Sequence, residues 1–349
     1  MINILYKWWI SYRCNKWLAS QKYKQWEPLI SDDEYSICTM AKLSKDIFQE
    51  EINNIISNTN SKTFIKVVYL DDEKINAFAC KVGTFKKCGL YIIALNKGIF
   101  SEIDRYISRN EFKAVIDEKF HSLKNVSTAD LYRISMWSIS KSIMYHELAH
   151  VLRGHLDFLI DENIINANNE YTELPITGGN LRYTDEIDRI SVNEKIRLCE
   201  NDADAHAARL FSVNAFTFAK NINTEKKQDV YIGVYSLIIF SSHILFSIFD
   251  QTSRGNESKY PQPAIRSAIY ASQFSANYSK MLPEIRFEGI YNALLYSILC
   301  ADSYCNKIRL SRGKYNLRQK FKEWEVTQKP LMNDFDKVLA NYNLLRPKN

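Results

Sequence analysis

The chain has 349 residues, of which 46% are hydrophobic and 25% are charged, and it contains few glycines (10) and prolines (7). This composition excludes a largely disordered or collagen-like chain and favours one large or two modest domains that are mostly helical. The seven cysteines are scattered and form no CxxC pair, which argues against a disulfide framework and a cysteine zinc site and fits reduced thiols in a cytoplasm.

Charge is distributed unevenly along the chain. Residues 1–26 carry five basic residues and no acidic residue, residues 307–349 carry eleven basic and four acidic residues, and the middle carries 30 basic and 36 acidic residues. We place the chemistry in the acidic middle. The basic ends are either solvated helix faces, which we favour, or surfaces for an acidic partner or anionic lipid, and a nucleic acid partner is not expected.

The first 59 residues predict a basic, aromatic, helical arm. In "LYKWWISYRCNKWLASQKYKQW" the apolar residues are interrupted by Lys7, Arg13 and Lys16, so the stretch lacks the uninterrupted core of a signal peptide. Its tryptophans either dock onto the protein itself, which we favour, or lie at a membrane interface.

Three β-branched and aromatic runs follow the arm and predict a small antiparallel sheet. They are "TFIKVVYL", "INAFACKV" and "LYIIAL", separated by "DDEK" and "GTFKKCG". An extended substrate is expected to add one strand to this sheet along Asn76, Ala77 and Phe78.

From about residue 101 onward the pattern is helical. Ser127 is expected to cap a long helix that ends near residue 158, and Ser191 to cap a second one, "VNEKIRLCENDADAHAARLF". "YPQPAIR" predicts a turn into a further helix, and residues 316–345 look helical and amphipathic. We therefore predict an α+β, mostly helical fold, with a central domain over residues 60–282 and a helical, basic C-terminal region over residues 283–349.

The stretch "YIGVYSLIIFSSHILFSIF", residues 231–249, has no charged residue over roughly the width of a membrane. It contains Gly233, four serines and His243. We favour a buried core helix, with a transmembrane helix as the alternative.

The sequence "MYHELAHVLRGHLDFL" holds three of the chain's six histidines. His146 and His150 are four residues apart, so on a helix they share a face and both rings can reach one ion. Glu147 would flank that ion and accept a proton from water, and this HExxH pattern is typical of metalloproteases. The surrounding apolar residues predict a buried helix, where unpaired polar groups are costly, and this favours a metal site over histidines that only pack.

A third metal ligand is needed, and the pattern HExxHxxGxxH would supply it six residues after the second histidine. This chain has Arg153 and Leu156 where that pattern has glycine and histidine. His155 would lie on the opposite face of a continuous helix, so it can bind the same ion only if the helix breaks at Gly154. We therefore expect His155 to be buried or hydrogen-bonded rather than a ligand.

The stretch "CENDADAHAARL" supplies the third ligand in our prediction. Glu200 and Asp204 are four residues apart on one helical face, and alanines near that face allow a close approach to the first helix. Glu200 would complete a His₂Glu site for one zinc ion, with water in the fourth position. Asp204 would accept the N–H of a ligand histidine. Asp202 lies on the other side of the helix and is expected to face solvent, and His206, also off the ligand face, is expected to be structural or exposed.

HExxH followed by ExxAD resembles the gluzincin metallopeptidases. The order "HELAHVLRGHLDFL", "ENDADAHAA" and "YPQPAIRSAI" looks most like the Lit-type phage-exclusion peptidases of bacteria, over roughly residues 60–275. The run from "INAFACKV" to "GLYIIALNKGIF" resembles the edge strand and following segment that precede the site helix there. The resemblance implies a zincin-like core and these site residues: zinc ligands His146, His150 and Glu200, general base Glu147, and Asp204 behind them.

A Lit-type relation implies a bacterial protein of the cytoplasm or the inner membrane. Such a protein cleaves translation elongation factor Tu during phage infection and so aborts the infection. We expect its activity to be gated, by an activating peptide or a phage component, because a constitutive cytoplasmic protease would be harmful.

The predicted reaction is hydrolysis of a peptide bond, with Glu147 accepting the proton of the attacking water and delivering it to the leaving amine. The developing oxyanion needs a further donor, and the candidates are His243, Tyr260 and Arg266. Arg266 could instead fix Asp204 or hold a substrate carboxylate. Related enzymes often have histidine at the position of Tyr260, which leaves the role of that segment open.

Two other functions are kept open at this point. One is an integral-membrane zinc protease that uses residues 231–249 as a span. The other is a non-catalytic binding protein that keeps the zincin fold and recognises its partner through the basic tail. The substrate, the cleaved bond, the trigger and the oligomeric state do not follow from the sequence.

Overall fold

The computed structural model describes residues 2–29, 36–59, 63–85, 88–120, 126–165, 170–171, 191–222, 227–252, 263–282, 285, 287–310, 322, 324–326 and 329–344. The chain forms two compact units, each built from separate stretches of sequence. The first comprises residues 1–102, 147–192 and 333–349, and the second comprises residues 103–146 and 193–332. The division into residues 1–59, 60–282 and 283–349 stays a prediction.

The described chain is mostly helical and carries one small sheet, as the predicted α+β class requires. The elements, in chain order, are α1 (Ile2–Ser20), α2 (Ile37–Ser57), β1 (Thr63–Leu70), β2 (Ala77–Phe85), β3 (Cys88–Asn96), α3 (Lys97–Ile107), α4 (Asn110–Lys119), α5 (Thr128–Leu152), α6 (His155–Asp161), β4 (Glu170–Tyr171), α7 (Val192–Asn221), α8 (Lys227–Thr252), α9 (Pro263–Lys280), α10 (Phe287–Lys307) and α11 (Lys329–Leu339). A zincin-like arrangement of these elements stays a prediction.

The sheet of the first unit has the strand order β1-β3-β2-β4. All three predicted strands are confirmed, but the predicted antiparallel pairing is wrong for β1 and β3, which run parallel. β2 and β3 pair in the antiparallel direction, and the two residues of β4 pair with β2. The physical reason lies in β3, whose residues 91–95 are apolar and buried on both faces. Such a strand belongs at the centre of a sheet, between two neighbours.

Helix α1 docks onto one face of this sheet, as favoured for the tryptophan-rich arm. A buried cluster joins the inner face of α1 to alternate residues of the strands: Ile10, Cys14, Trp17, Leu18, Val68, Leu70, Phe78, Cys80, Val82, Leu90, Ile92 and Ala94. Trp8 differs from Trp17, because it is 65% exposed and its ring stacks on that of Tyr12, one helical turn away. A membrane contact of this arm stays a prediction.

Helix α5 begins as predicted and ends earlier than predicted. The Ser127 hydroxyl accepts the backbone N–H of Asp130 at 3.0 Å, which is the expected N-cap. The helix ends at Leu152, however, and not near residue 158, because Gly154 adopts a left-handed conformation with φ of +78°. Helix α6 then begins at His155.

The apolar helix α8 belongs to the second unit. The stretch Lys227–Phe249 is long and apolar enough to cross a membrane, and 83% of its most apolar window is buried inside the protein. This burial favours the core-helix interpretation over the membrane span. One of its polar residues contacts the same unit: Ser242 lies 3.4 Å from Ser142 of α5, whose hydroxyl is 2.8 Å from that of Tyr270.

Candidate metal centre

Helix α5 carries the HExxH residues on a buried stretch. His150 is 1% exposed and Glu147 is 7% exposed. The apolar residues between and beside them, from Ile143 to Leu152, are also buried. The local sequence explains this burial, because a helix that is apolar on all sides is stable only when other parts of the protein surround it. The division between the two units falls between His146 and Glu147, within this one continuous helix.

Helix α7 places the predicted carboxylates beside His146. Glu200 is 4% exposed and Asp204 is 2% exposed, and the alanines of the same face are fully buried: Ala203, Ala207 and Ala208. Small side chains on that face leave room for a close neighbour, as predicted. The expectation that Asp202 faces solvent is wrong: it is 7% exposed, because α7 is buried on all sides from Leu198 to Ala205.

The three predicted ligands come together in the structure. One nitrogen each of His146 and His150 and one oxygen of Glu200 lie within 4.8 Å of one another. His146 Nε2 lies 3.2 Å from Glu200 Oε2. Ligand atoms of a tetrahedral zinc site, each about 2.1 Å from the ion, are roughly 3.4 Å apart. The His146–Glu200 separation is close to this value, and the other pairs lie within 4.8 Å.

Asp204 contacts the other side of the His146 ring. Its Oδ1 lies 2.8 Å from His146 Nδ1, which leaves Nε2 directed at Glu200. This is the arrangement expected of a carboxylate that orients a metal-binding histidine.

The guanidinium of Arg266 holds Asp204 in turn. Its Nε donates to Asp204 Oδ2 at 2.7 Å and its Nη2 donates to Oδ1 at 3.0 Å, so the pair is bidentate. The same Nη2 lies 3.3 Å from Glu200 Oε2. Of the roles expected for Arg266, fixing Asp204 is the one for which the structure shows contacts. The rings of Phe246 and Phe249 lie 5.8 and 6.0 Å from the guanidinium and enclose it.

Arg266 lies close to both nitrogens of the His146 ring. Its Nη2 lies 3.4 Å from Nδ1 and 3.3 Å from Nε2 of that ring. An atom in the ring plane along the Nε2 lone pair would lie much closer to Nε2 than to Nδ1. The near-equal distances show that the guanidinium nitrogen does not lie along the in-plane direction of Nε2.

These contacts set the charge of the site. Burial disfavours the charged form of His146, but the Asp204 carboxylate outweighs it and raises the pKa of the ring to about 10, in spite of Arg266. Burial acts against the charged form of Asp204 as well, yet Arg266 and His146 lower the pKa of its carboxyl below the ordinary value. In the metal-free protein His146 is therefore protonated, and its positive charge lies beside the carboxylates of Asp204 and Glu200.

His155 contacts the second histidine of the motif. Its Nδ1 lies 3.0 Å from Nδ1 of His150, and its ring is fully buried. The expectation that His155 is buried or hydrogen-bonded is confirmed, and the helix break at Gly154 is what allows the contact.

The remaining predicted site residues are placed as follows. His243 lies in the second unit with both ring nitrogens engaged, by Ser267 Oγ and by Asp302 Oδ1, each at 2.8 Å. Its role as an oxyanion donor stays a prediction, and it would require the loss of one of these bonds. Tyr260 lies outside the described residues.

The predicted substrate strand lies in the first unit. Ala77 and Phe78 pair with β3 on one side, and the Asn76 carbonyl accepts the N–H of Asn96 at 2.9 Å. On the other side β4 pairs with β2 at Ala79 and Cys80, just beyond the predicted residues. Addition of a substrate strand along Asn76, Ala77 and Phe78 stays a prediction.

The donor set fits zinc. Two imidazoles and one carboxylate are the ligands of one known class of catalytic zinc site, in which the fourth position is left open. The carboxylate of Asp204 on the far nitrogen of His146 is the support that such ligands usually have. Comparison with other proteins adds nothing to this assignment, because no family model, no curated protein and no solved structure matches the chain. Its relation to gluzincins and to Lit-type peptidases stays a prediction.

Two features of the site were missed from the sequence. Phe246 and Phe249 enclose Arg266, but on an apolar helix nothing distinguishes them from ordinary core residues. The hydrogen bond between His150 and His155 was missed because, on a continuous helix, side chains five residues apart point in different directions. Gly154, directly before His155, was the available signal.

Proposed function

We propose that this protein is a zinc-dependent endopeptidase that hydrolyses a peptide bond in an intracellular protein. The observation that carries the proposal is the convergence of His146, His150 and Glu200 on α5 and α7, with Glu147 next to the first of them. A structural zinc site would need a fourth protein ligand, and among the described residues this group contains three.

We assign the following roles to the residues. His146, His150 and Glu200 would hold the ion, which as a Lewis acid lowers the pKa of water toward about 7 and polarises a carbonyl. Glu147 accepts the proton of the attacking water and delivers it to the leaving amine. Asp204 keeps His146 in the tautomer whose Nε2 carries a lone pair, and Arg266 keeps Asp204 ionised and in place.

The finer part of the proposal rests on the resemblance to Lit-type peptidases. In this part we propose that the substrate is a translation elongation factor and that its cleavage excludes a phage. A phage component or peptide would switch the activity on. A cytoplasmic or inner-membrane location belongs to the same proposal. The burial of α8 supports a core helix and speaks against the alternative of an integral-membrane protease.

The proposal is tested with Glu147→Gln, which keeps the size of the side chain and removes its basicity. We expect stoichiometric zinc, an unchanged melting temperature and a rate of peptide hydrolysis lower by about 10²–10⁴-fold. Glu288→Gln, an exposed glutamate in the first turn of α10, is the matched control and should keep full activity.

Substrates are identified by mapping new protein N-termini in cells that express the wild type or Glu147→Gln. Termini that appear only with the wild type would reveal the cleaved bond. Purified wild-type protein that holds no stoichiometric zinc would refute the proposal, and a Glu147→Gln variant that keeps its cellular effect would favour a binding protein.

A further inference from the structure

The chain turns sharply just after the proposed site helix. His155 is five residues beyond His150, and on a continuous helix the two side chains would point about 140° apart. Gly154 breaks the helix with its φ of +78°, and α6 starts at His155. The turn brings the two Nδ1 atoms to 3.0 Å, which is hydrogen-bonding distance.

This contact decides which nitrogen of His150 is available for a cation. One proton lies between the two Nδ1 atoms, so one ring donates and the other accepts. If His150 donates from Nδ1, its Nε2 keeps a lone pair and can bind metal. His155 then accepts at Nδ1 and carries its own proton on Nε2. A hydrogen bond from the non-ligating nitrogen is the usual way in which a ligand histidine is oriented.

The C-terminal segment of the first unit holds His155 in this position. The ring of Phe335, on α11, stacks on the His155 ring with an interplanar angle of 26° and a centroid distance of 6.2 Å. Phe335 also packs edge-on against Phe158, which in turn packs against Tyr342. Because His155 is fully buried, its ring cannot rotate away from His150 unless these aromatic neighbours move.

The same segment closes the end of α5. The backbone N–H of Leu344 donates to the carbonyl of Leu152, at the last turn of the helix, at 2.8 Å. Arg153 forms an ion pair with Asp336. Asp336 within α11 and Leu344 after it thus contact the end of the helix that carries the motif, and Tyr342 lies against the turn at Gly154.

We propose that His155 is a positioning residue for the metal ligand His150. Phe335, in the C-terminal segment of the first unit (residues 333–349), keeps the His155 ring in contact with His150. This inference rests on the proposed zinc site and extends it to residues outside the HExxH and ExxAD patterns. It assigns a role in metal binding to a part of the chain more than 180 residues after the motif.

The test measures zinc affinity of the full chain by competition with a chromophoric chelator. His155→Phe keeps a ring against Phe335 and removes the acceptor, and we expect zinc affinity to fall by about 10–100-fold. His155→Asn places an acceptor oxygen near the position of Nδ1 and should restore most of the affinity. The melting temperature of each metal-free variant shows whether the substitution has changed the stability of the fold rather than the position of His150.

The contribution of the C-terminal segment is tested on two adjacent residues of α11. Phe335→Leu removes the ring and keeps an apolar side chain, and it should lower zinc affinity. Asp334→Asn alters a side chain that is 40% exposed and pairs with Lys337 at 2.6 Å, so it should leave zinc affinity unchanged.

The outcomes separate this inference from the proposed function. Wild-type affinity in His155→Phe, together with loss of zinc in His150→Ala, would overturn the inference and leave the zinc site standing. Equal loss in His155→Phe and His155→Asn would also overturn it, because the acceptor would then not matter. A wild-type protein that binds no zinc would instead remove the proposed function itself.

Discussion

Replacing Gly154 by alanine is expected to destabilise the protein strongly. The residue has a φ of +78°, in the left-handed region, and a Cβ built on it would lie 2.4 Å from Cβ and 2.5 Å from the carbonyl oxygen of Tyr342. Real Cβ atoms do not approach backbone atoms so closely. The substitution therefore strains the local backbone and pushes the C-terminal segment away from the turn.

The magnitude follows from these two effects. A left-handed conformation costs a non-glycine residue roughly 1–2 kcal/mol. Overpacking of a buried site typically costs about 1–3 kcal/mol more, since the obstructing atoms include backbone. We expect a loss of about 2–5 kcal/mol, which is a large part of the 5–15 kcal/mol by which proteins are usually stable.

The assay is denaturant unfolding of the metal-free protein, followed by circular dichroism and by tryptophan fluorescence. Gly289→Ala is the matched control, because that glycine lies in α10 and its added Cβ would meet Ile285 at an ordinary 3.6 Å. This control should be neutral or stabilising by up to about 1 kcal/mol. If Gly154→Ala were as stable as Gly289→Ala, the turn and its contact with Tyr342 would be wrong.

Further predictions concern the site and the thiols. Asp204→Asn keeps an acceptor for His146 but loses the charge, and zinc affinity measured by chelator competition should fall by about 10-fold or more; an unchanged affinity would contradict the role of Asp204. Because the pKa of His146 is raised from 6.5 to about 10, the ring is protonated at pH 7.5, and calorimetry in two buffers should show about one proton released per zinc bound. The sign for stability follows: the stabilisation of the metal-free protein by this pair is complete below pH 6.5 and is lost as the pH rises through about 10, which unfolding curves across that range would show. Among the described cysteines, Cys38 is exposed and should react with a thiol reagent in the native protein, whereas burial raises the pKa of Cys14 to about 11 and should keep it unreactive until the protein unfolds.

The elements that the sequence predicts well are those with a local pattern. The three strands and the helices after Ser127 and Ser191 were predicted from the spacing of their apolar residues and from capping residues. Both signals act over a few positions. The ligand group was predicted for the same reason, because four-residue spacing on a helix fixes which side chains share a face. The burial of Glu200 and Asp204 followed from the alanines around them.

The parts that the sequence did not predict depend on distant residues. The parallel pairing of β1 with β3 depends on which strand occupies the centre of the sheet. The apolar pattern of either strand alone does not indicate this position. The end of α5 at Leu152 was missed because the apolar pattern continues past Gly154 into α6. The stacking of Phe335 on His155 joins residues 180 positions apart, and a single sequence contains no local signal for such a contact.

The charges around the site explain why so many ionisable groups can be buried together. An isolated buried carboxylate is strongly disfavoured, and Glu200 and Asp204 are both almost fully buried. In the metal-free protein the Arg266 guanidinium and the proton on His146 supply two positive charges against these two carboxylates. A divalent cation would displace the proton of His146 and place its own charge beside Glu200, while Arg266 stays with Asp204. These two buried carboxylates are therefore compensated both with and without metal, and metal binding becomes an exchange of a proton for a cation at one ring nitrogen.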